Sequence, residues 1–296
     1  MSTVGVVGLG NMGRGMALSL QREGWQVLGT DASAATRRQL ADEGVPVCDS
    51  VAQITDQSDT VVLSLPTAAI VEQVVTGPGG LLASGRKGLL VIDCSTSHPD
   101  TTRRVAQRLA DAGMSMIDAP VSGGPKGAVT GQLTMVIGGA EVDLVRAMPI
   151  LEAMSAKRVH IGDVGAGNVA KIANNLMCAA HLLVAGEVAR LANKAGVSTD
   201  KLLEGINAGS GRSGVTQVNY PAWIMNGAFD SGFTMKLMRK DVNLGAELME
   251  QHGLTLPLMQ AVADLWRLSA DTIGDDEDFN RIVELGQRET TSRTHS

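Results

Sequence analysis

Residues Val4 to Asp31, VGVVGLGNMGRGMALSLQREGWQVLGTD, leave few folds open to this chain. A short apolar run, Val4 to Val7, breaks at Gly8-Leu9-Gly10-Asn11-Met12-Gly13. An apolar-periodic segment through Met16, Ala17 and Leu20 follows and stops at Gly24. Trp25 to Gly29 then reads as a second strand that ends on Thr30-Asp31, the acid standing 23 residues after the first glycine. Strand, glycine turn, helix and strand is the order a dinucleotide site needs. Gly8 makes the tight turn, Gly10 lets backbone approach the pyrophosphate, and Gly13 lets the helix pack close to the strand. The N–H groups and positive dipole end of that helix face the phosphates. A GxGxxG alone is equally a glycine-rich packing turn. Its β-turn-α-β setting and the acid at the second strand's end favour nucleotide binding, with Gly8, Leu9, Gly10, Asn11, Met12, Gly13 and Asp31 as the candidate contacts.

The alternation continues to about residue 162. Val61-Val62-Leu63-Ser64-Leu65-Pro66 and Leu89-Leu90-Val91-Ile92-Asp93-Cys94-Ser95 read as buried strands, each followed by a turn. Asp100 to Ala112 reads as a helix, Met114 to Ile117 as a strand, and Thr134 to Ile137 and Ala156 to Ile161 as two more around a helix from about Glu141 to Met154. Such units predict a parallel, doubly wound α/β sheet. Ligands of these sheets bind beyond the carboxyl ends of the strands, where Leu65-Pro66 and Ser95-Thr96 stand. From Gly167 to about Ala195, apolar residues at Val169, Ile172, Leu176, Leu183, Val184, Val188 and Leu191 keep a helical period with little polar surface, which predicts a helix mostly buried by a second domain or a partner subunit. Only helix-like segments follow: Thr199 to Ile206, Phe233 to His252 and Pro257 to Ala270. The expected organisation is a dinucleotide-binding domain over residues 1–163 and an all-α domain over 164–290, with the active site in the cleft between them. Gly274-Asp275-Asp276-Glu277-Asp278 reads as an acidic loop, and the last half-dozen residues are expected to fray.

At 296 residues, with 44% hydrophobic residues, the chain can bury two cores. A net charge of −6 and an aromatic content of 2% argue against nucleic acid, which asks for a basic patch or stacking platforms. Cys48, Cys94 and Cys178 lack CxxC spacing and read as reduced core thiols. The five histidines show no ligand spacing, so no metal is expected, and His181 reads as a core histidine. The first strand begins at Val4, leaving no room for a targeting peptide, and the apolar stretch around Leu176 to Gly186 is shorter than a bilayer span. A cytoplasmic protein without membrane contact is the expectation.

Three stretches could carry chemistry. In Asp118-Ala119-Pro120-Val121-Ser122-Gly123-Gly124, at a strand end, the Ser-Gly-Gly turn offers a hydroxyl and two unhindered N–H groups suited to a carboxylate, or it is a plain glycine turn. In Gly165-Ala166-Gly167-Asn168-Val169-Ala170-Lys171-Ile172-Ala173-Asn174-Asn175, Lys171 and Asn175 share a helix face. Burial and the positive end of the helix dipole, worth about 0.3–1 kcal/mol, both disfavour the charged form of Lys171. Such a lysine exchanges protons near neutrality, unless it snorkels to solvent. Met238-Arg239-Lys240-Asp241-Val242 reads, on pattern, as a solvated helix face.

Together, the glycine fingerprint, DAPVSGG, the Gly-x-Gly-x-x-x-Lys-x-x-Asn-Asn run and the later Lys-Asp resemble the β-hydroxyacid dehydrogenase family, which includes 3-hydroxyisobutyrate dehydrogenases and tartronate semialdehyde and sulfolactaldehyde reductases. The resemblance covers nearly the whole chain. It implies a Rossmann domain, an all-α domain opened by the long helix, NAD as cofactor, a small hydroxyacid substrate, and homodimers or homotetramers built through the α-domains. It implies Lys171 as catalytic acid/base, Asn175 orienting the substrate, and Ser122, Gly123 and Gly124 holding its carboxylate. It further implies Leu65, Pro66 and Thr96 lining the cofactor, with Lys240 at the nicotinamide end. Asp31 favours NAD over NADP, and Arg37 and Arg38 fall too far along the next helix to reverse that. Imine reductases of related sequence usually lack the lysine, and non-catalytic relatives replace it and carry basic appendages. One stretch departs from the pattern: Gly209-Ser210-Gly211-Arg212-Ser213 is followed by Gly214, where an aromatic is common.

Overall fold

The computed structural model describes residues 3–287, and the chain divides into two compact units, one up to Lys171 and one from Ile172. The expected fraying of the last residues lies outside the described residues.

The first unit is a sheet with helices on its faces. It opens with β1 (Thr3–Val7), α1 (Asn11–Arg22), β2 (Gln26–Thr30), α2 (Ala34–Asp42), α3 (Val51–Gln57), β3 (Thr60–Leu63) and α4 (Ala68–Thr76). It continues with β4 (Leu90–Asp93), α5 (Pro99–Asp111), β5 (Ser115–Asp118), β6 (Val121–Ser122), α6 (Gly124–Thr130), β7 (Leu133–Gly138), α7 (Glu141–Met154) and β8 (Ser155–Gly162). The strand order is β2-β1-β3-β4-β5-β7-β6, with β8 on β7. β2 to β5 run parallel. Their near-continuous apolar runs fit strands covered on both faces: every residue of β3 and β4 is buried. The sheet is parallel-rich as expected, with one reversal at β7, which pairs antiparallel with β5 and β6 and parallel with β8. The reversal is made by the short connection through Gly131, at φ +70, which turns the chain straight from α6 into β7.

Two cores flank the sheet. One packs Met16, Ala17 and Leu20 of α1 and Ala147, Ile150 and Leu151 of α7 against Val4, Val6, Ile92 and Ile117. The other packs Ile54, Val71, Val75, Val105 and Leu109 against Val7, Val61, Leu63 and Val91. On the first face α1 also lies against α6. At Gly15 a Cβ would stand 2.7 Å from the Cβ of Ala128, so the two helices meet backbone to backbone.

The helix α8 (Ala166–Lys194) begins in the first unit, and the division of the chain falls within it. The second unit adds α9 (Thr199–Ala208), a π-helix (Val215–Ile224), α10 (Met235–Gln251), α11 (Pro257–Leu268) and a 3-10 helix (Phe279–Glu284). Its core gathers Ala179, Leu182 and Leu183 of α8 with Met235, Met238, Val242, Trp266, Phe279 and Ile282. The parallel-rich Rossmann sheet and the helical second domain opened by a long helix are as expected.

Two expectations about the helices meet the structure differently. Within the single chain α8 is not buried all round: Ala179, Leu182 and Leu183 enter the second core, while Val169, Met177, Val184 and Leu191 stay 42 to 70% exposed along one side, the side left for the other expected cover, a partner subunit. It is also long and apolar enough, by length and composition, to cross a membrane, a test that the core helix of a soluble protein passes too. Nor is Met238–Val242 a solvated face: Met238, Arg239, Asp241 and Val242 are all buried. The Arg239 guanidinium is accommodated because Ser269, the carbonyls of Trp266 and Ile273, and the Asp275 carboxylate all accept from it. Asp275 thereby ties part of the acidic loop to α10.

Candidate active site

The glycine turn divides its labour among three residues. Gly8 has φ +90, and a Cβ there would strike the Ser64 carbonyl at the end of β3. At Gly13 a Cβ would strike the carbonyl of Gly8, so only glycine lets α1 start beneath the turn. At Gly10, among the described residues, nothing lies within 4 Å of the same atom. That open space is a cradle which a side chain would fill. No side chain among the described residues caps α1, and its first turn holds no acid. Uncapped N–H groups and the helix dipole therefore favour an anion over Gly10, Asn11 and Met12. Leu9 contributes differently: its side chain is 1% exposed, in the core, and its N–H donates to Asp31 Oδ2 at 2.7 Å.

Asp31 ends β2 and also accepts from Ser33 N–H, through Oδ1, at 2.8 Å. The expectation that Arg37 lies too far away does not hold. Its side chain folds back along the first turn of α2, and its guanidinium donates to the Asp31 carbonyl at 2.6 Å. Arg37 also lies 3.4 Å from Asp49 Oδ1. A half-buried cation therefore stands beside the acid that ends the second strand.

The carboxyl ends of β3 and β4 are stitched together. Leu65 N–H donates to Ser95 Oγ at 2.9 Å, and Ser95 N–H to Asp93 Oδ1 at 2.9 Å. Thr96 is half-buried and Pro66 exposed in the two turns beyond. Ser97 N–H donates to the side chain of Asn168 at 2.9 Å.

Within the first unit Lys171 and Ser122 meet. The Lys171 ammonium donates to Ser122 Oγ at 2.9 Å, and Lys171 is only 9% exposed. The reading of a lysine snorkelling into solvent is thus set aside. Ser122 is held by its pairing with Thr134, and the chain turns beyond it through Gly123 and Gly124, at φ +126 and +64, into α6. In the second unit Asn175 is 4% exposed, and its amide donates to Asp241 Oδ2 at 2.5 Å. The Lys240 ammonium is 3.0 Å from Asp241 Oδ1. Asp241 therefore orients both a neutral amide and a cation named from the sequence, a role that sequence reading missed.

Two further buried groups were missed. Asp118, at the end of β5, is fully buried, with Oδ1 accepting from Gly165 N–H and Oδ2 from Asn168 N–H, both at 2.7 Å. Burial pushes its carboxyl up, while the two N–H donors and Arg103 pull it back. Asn168 is also fully buried and donates to Thr102 Oγ1 at 3.2 Å. The signal available beforehand was an acid and an asparagine set in glycine-rich, otherwise apolar runs.

These features define a class: a dinucleotide-binding Rossmann protein with a half-buried acid at the end of its second strand and a buried lysine bonded to a serine of β6. A family model described as the NAD binding domain of 6-phosphogluconate dehydrogenase matches residues 3–162. A second, described as the NAD-binding of NADP-dependent 3-hydroxyisobutyrate dehydrogenase, matches residues 165–285. The chain is 33% identical over 287 residues to 2-(hydroxymethyl)glutarate dehydrogenase of Eubacterium barkeri, covering 97% of this chain and 95% of that one. It is 34% identical over 294 residues to 3-hydroxyisobutyrate dehydrogenase of Pseudomonas aeruginosa, covering 96% and 98%. A solved structure of Mycobacterium tuberculosis 3-hydroxyisobutyrate dehydrogenase with L-serine matches with a TM-score of 0.89 at 35% identity, covering 96% and 98%. The chain belongs to the 3-hydroxyisobutyrate dehydrogenase family of nicotinamide-dependent hydroxyacid dehydrogenases.

Proposed function

We propose that this protein interconverts a short β-hydroxyacid and its aldehyde or ketone with NAD, using Lys171 as the acid/base. The observation that carries the reading is the Lys171 ammonium, buried and 2.9 Å from Ser122 Oγ. A proton-exchanging group placed there adjoins a hydroxyl and two glycine N–H groups fit to hold a carboxylate, which suits a substrate whose reacting hydroxyl lies near its acid group. The L-serine that accompanies the Mycobacterium tuberculosis enzyme in its solved structure is itself a β-hydroxyacid.

Gly8 to Gly13 and Asp31 would hold the dinucleotide, with Leu65, Pro66 and Thr96 along it and Lys240 toward its nicotinamide end. Bound NAD supplies the hydride acceptor in oxidation, and NADH the donor in reduction. In oxidation, neutral Lys171 takes the hydroxyl proton as the carbonyl forms. In reduction, the Lys171 ammonium returns that proton to the developing alkoxide. Ser122, Gly123 and Gly124 bind the carboxylate, and Asn175, fixed by Asp241, orients the substrate. Asp31 favours NAD by accepting from the ribose hydroxyls and repelling a 2′-phosphate. The exposed side of α8 supports a further part of the proposal, a homodimer or homotetramer.

Purified protein is assayed for NADH formation with hydroxyisobutyrate, glycerate, serine, threonate and a sulfonated analogue. With Gly214 in open space and Arg212 near it in sequence, polar substituents should be accepted better than methyl groups. Lys171→Ala should bind NADH like the wild type and lose about 10²–10⁴-fold in kcat on the best acid. Wild-type turnover by that variant would make Lys171 structural.

A further inference from the structure

The ring of contacts that closes on Lys171 passes through two buried residues with no part in the chemistry. From Asp118 it crosses to the N–H groups of Gly165 and Asn168, runs less than one turn along α8 to Lys171, crosses to Ser122 Oγ, and returns along the chain to Asp118. Asn168 fastens the same turn on its other side, through Ser97 N–H and Thr102 Oγ1. We propose that Asp118 and Asn168 are positioning residues, a two-armed clamp that locks the first turn of α8 onto the end of β5 and onto the turn from β4 into α5, and so sets where Lys171 stands against Ser122. The proposal rests on the reading of Lys171 as the acid/base.

Three observations favour a positioning device over ordinary capping. The first is its cost. A carboxylate with both oxygens out of water is expensive unless both are bonded, whereas exposed serines, Ser33 and Ser50, cap other helices of this chain without that penalty. The second is the space cleared for it. Gly138 pairs with Asp118 across the sheet, and a Cβ there would strike Asp118 Oδ1. At Gly167 a Cβ would stand 2.9 Å from Oδ2 and 2.7 Å from the Asp118 carbonyl, so helix and strand approach closely enough for short bonds only because both residues are glycine. The third is the lever. Lys171 lies three residues beyond Asn168, on the same helix face, and Ser122 four beyond Asp118. Any slip of the first turn therefore changes the Lys171–Ser122 distance almost in full. Misplacing a catalytic group by 1 Å can cost about a hundredfold in rate.

The test is a kinetic double-mutant cycle on the full chain, with single-turnover rates on the best hydroxyacid and NADH binding followed by fluorescence. Asp118→Asn keeps the shape but points an amide at one of two N–H donors. It should lower kcat by about ten- to a hundredfold while NADH affinity stays within about threefold. In the Lys171→Ala background the same substitution should cost no more than about threefold, because the group it positions is gone. Asn168→Ala, which keeps the carboxylate, should repeat the pattern and serves if Asp118→Asn does not fold. Wild-type kcat in both variants would overturn the clamp, as would an undiminished loss in the Lys171→Ala background. Failure of both variants to fold would make the pair part of the scaffold and overturn it as well. Wild-type turnover by Lys171→Ala alone would instead overturn the acid/base reading, so the two failures are told apart.

Discussion

Replacing Asp31 with asparagine should move cofactor preference from NAD toward NADP by a calculable amount. Two unit charges 4 Å apart interact by about 1 kcal/mol in water and about 4 kcal/mol near a protein surface. Asp31 is half-buried at the rim of its strand, so the lower end applies. A phosphate of charge about −1.5 to −2 then meets about 1.5–2 kcal/mol of repulsion, which the substitution removes. The gain in kcat/KM for NADP should be about ten- to thirtyfold. The asparagine also gives up charged acceptance from the ribose hydroxyls, at about 1.5–3 kcal/mol for such a bond, of which its carbonyl recovers part. NAD should therefore lose about tenfold. Asp31 also accepts from Leu9 and Ser33 N–H, and disturbing that turn lowers both cofactors alike, so the ratio of the two kcat/KM values is the quantity to read. Arg37 supplies the second arm. Its guanidinium, already at the Asp31 carbonyl, stands beside the acid, and Arg37→Ala should lower kcat/KM for NADP in the Asp31→Asn background while leaving that for NAD little changed. A ratio unchanged within threefold would refute the electrostatic argument, as would wild-type protein using both cofactors equally.

Gly10→Ala should leave the melting temperature unchanged and raise the KM for NAD, because its Cβ meets only open space. Gly13→Ala must push α1 off the Gly8 carbonyl and, at about 1–3 kcal/mol for overpacking, lower Tm by several degrees; equal Tm values for the two variants would contradict this division. Val184→Glu and Leu191→Glu, at positions 53 and 70% exposed, should keep the fold and split the proposed oligomer, as read by light scattering, and a monomeric wild type would refute that surface's role. The methyl ester of the best acid should be a far poorer substrate, because aligned N–H donors lose their partner, and equal turnover of ester and acid would remove the carboxylate role of Ser122, Gly123 and Gly124.

What could be read from the chain, and what could not, divides by range. The strand–turn–helix–strand at the start is local, and its periodicity and glycines were sufficient. The direction of β7 was hidden because an apolar run looks the same whether its neighbour is parallel or antiparallel. The short helix α6 was hidden by the glycine and proline at its start. In the site, Lys171 and Ser122 stood out by their motifs. Asp118 and Asn168 did not, because their partners are backbone N–H groups and a hydroxyl 47 to 71 residues away. Arg239 misled for the same reason: the groups that accept from it lie 27 to 36 residues on, and without them a buried guanidinium is indistinguishable from a solvated one. Arg37 was misplaced because counting residues along a helix ignores a side chain long enough to reach back over the first turn.

The contact of Gly15 with Ala128 bears on how such an enzyme can be redesigned. α1 carries the glycine turn at its start, and α6 grows directly out of the Ser122-Gly123 bend, so the turn and the bend ride on one close-packed helix pair. Any bulk introduced at that seam displaces both together. A library built there would trade one property against the other, and selection for a new substrate would keep returning variants with a damaged cofactor response. The open ground at Gly214, where among the described residues nothing lies within 4 Å of an added Cβ, lies away from that seam, and diversity placed there can be screened one property at a time.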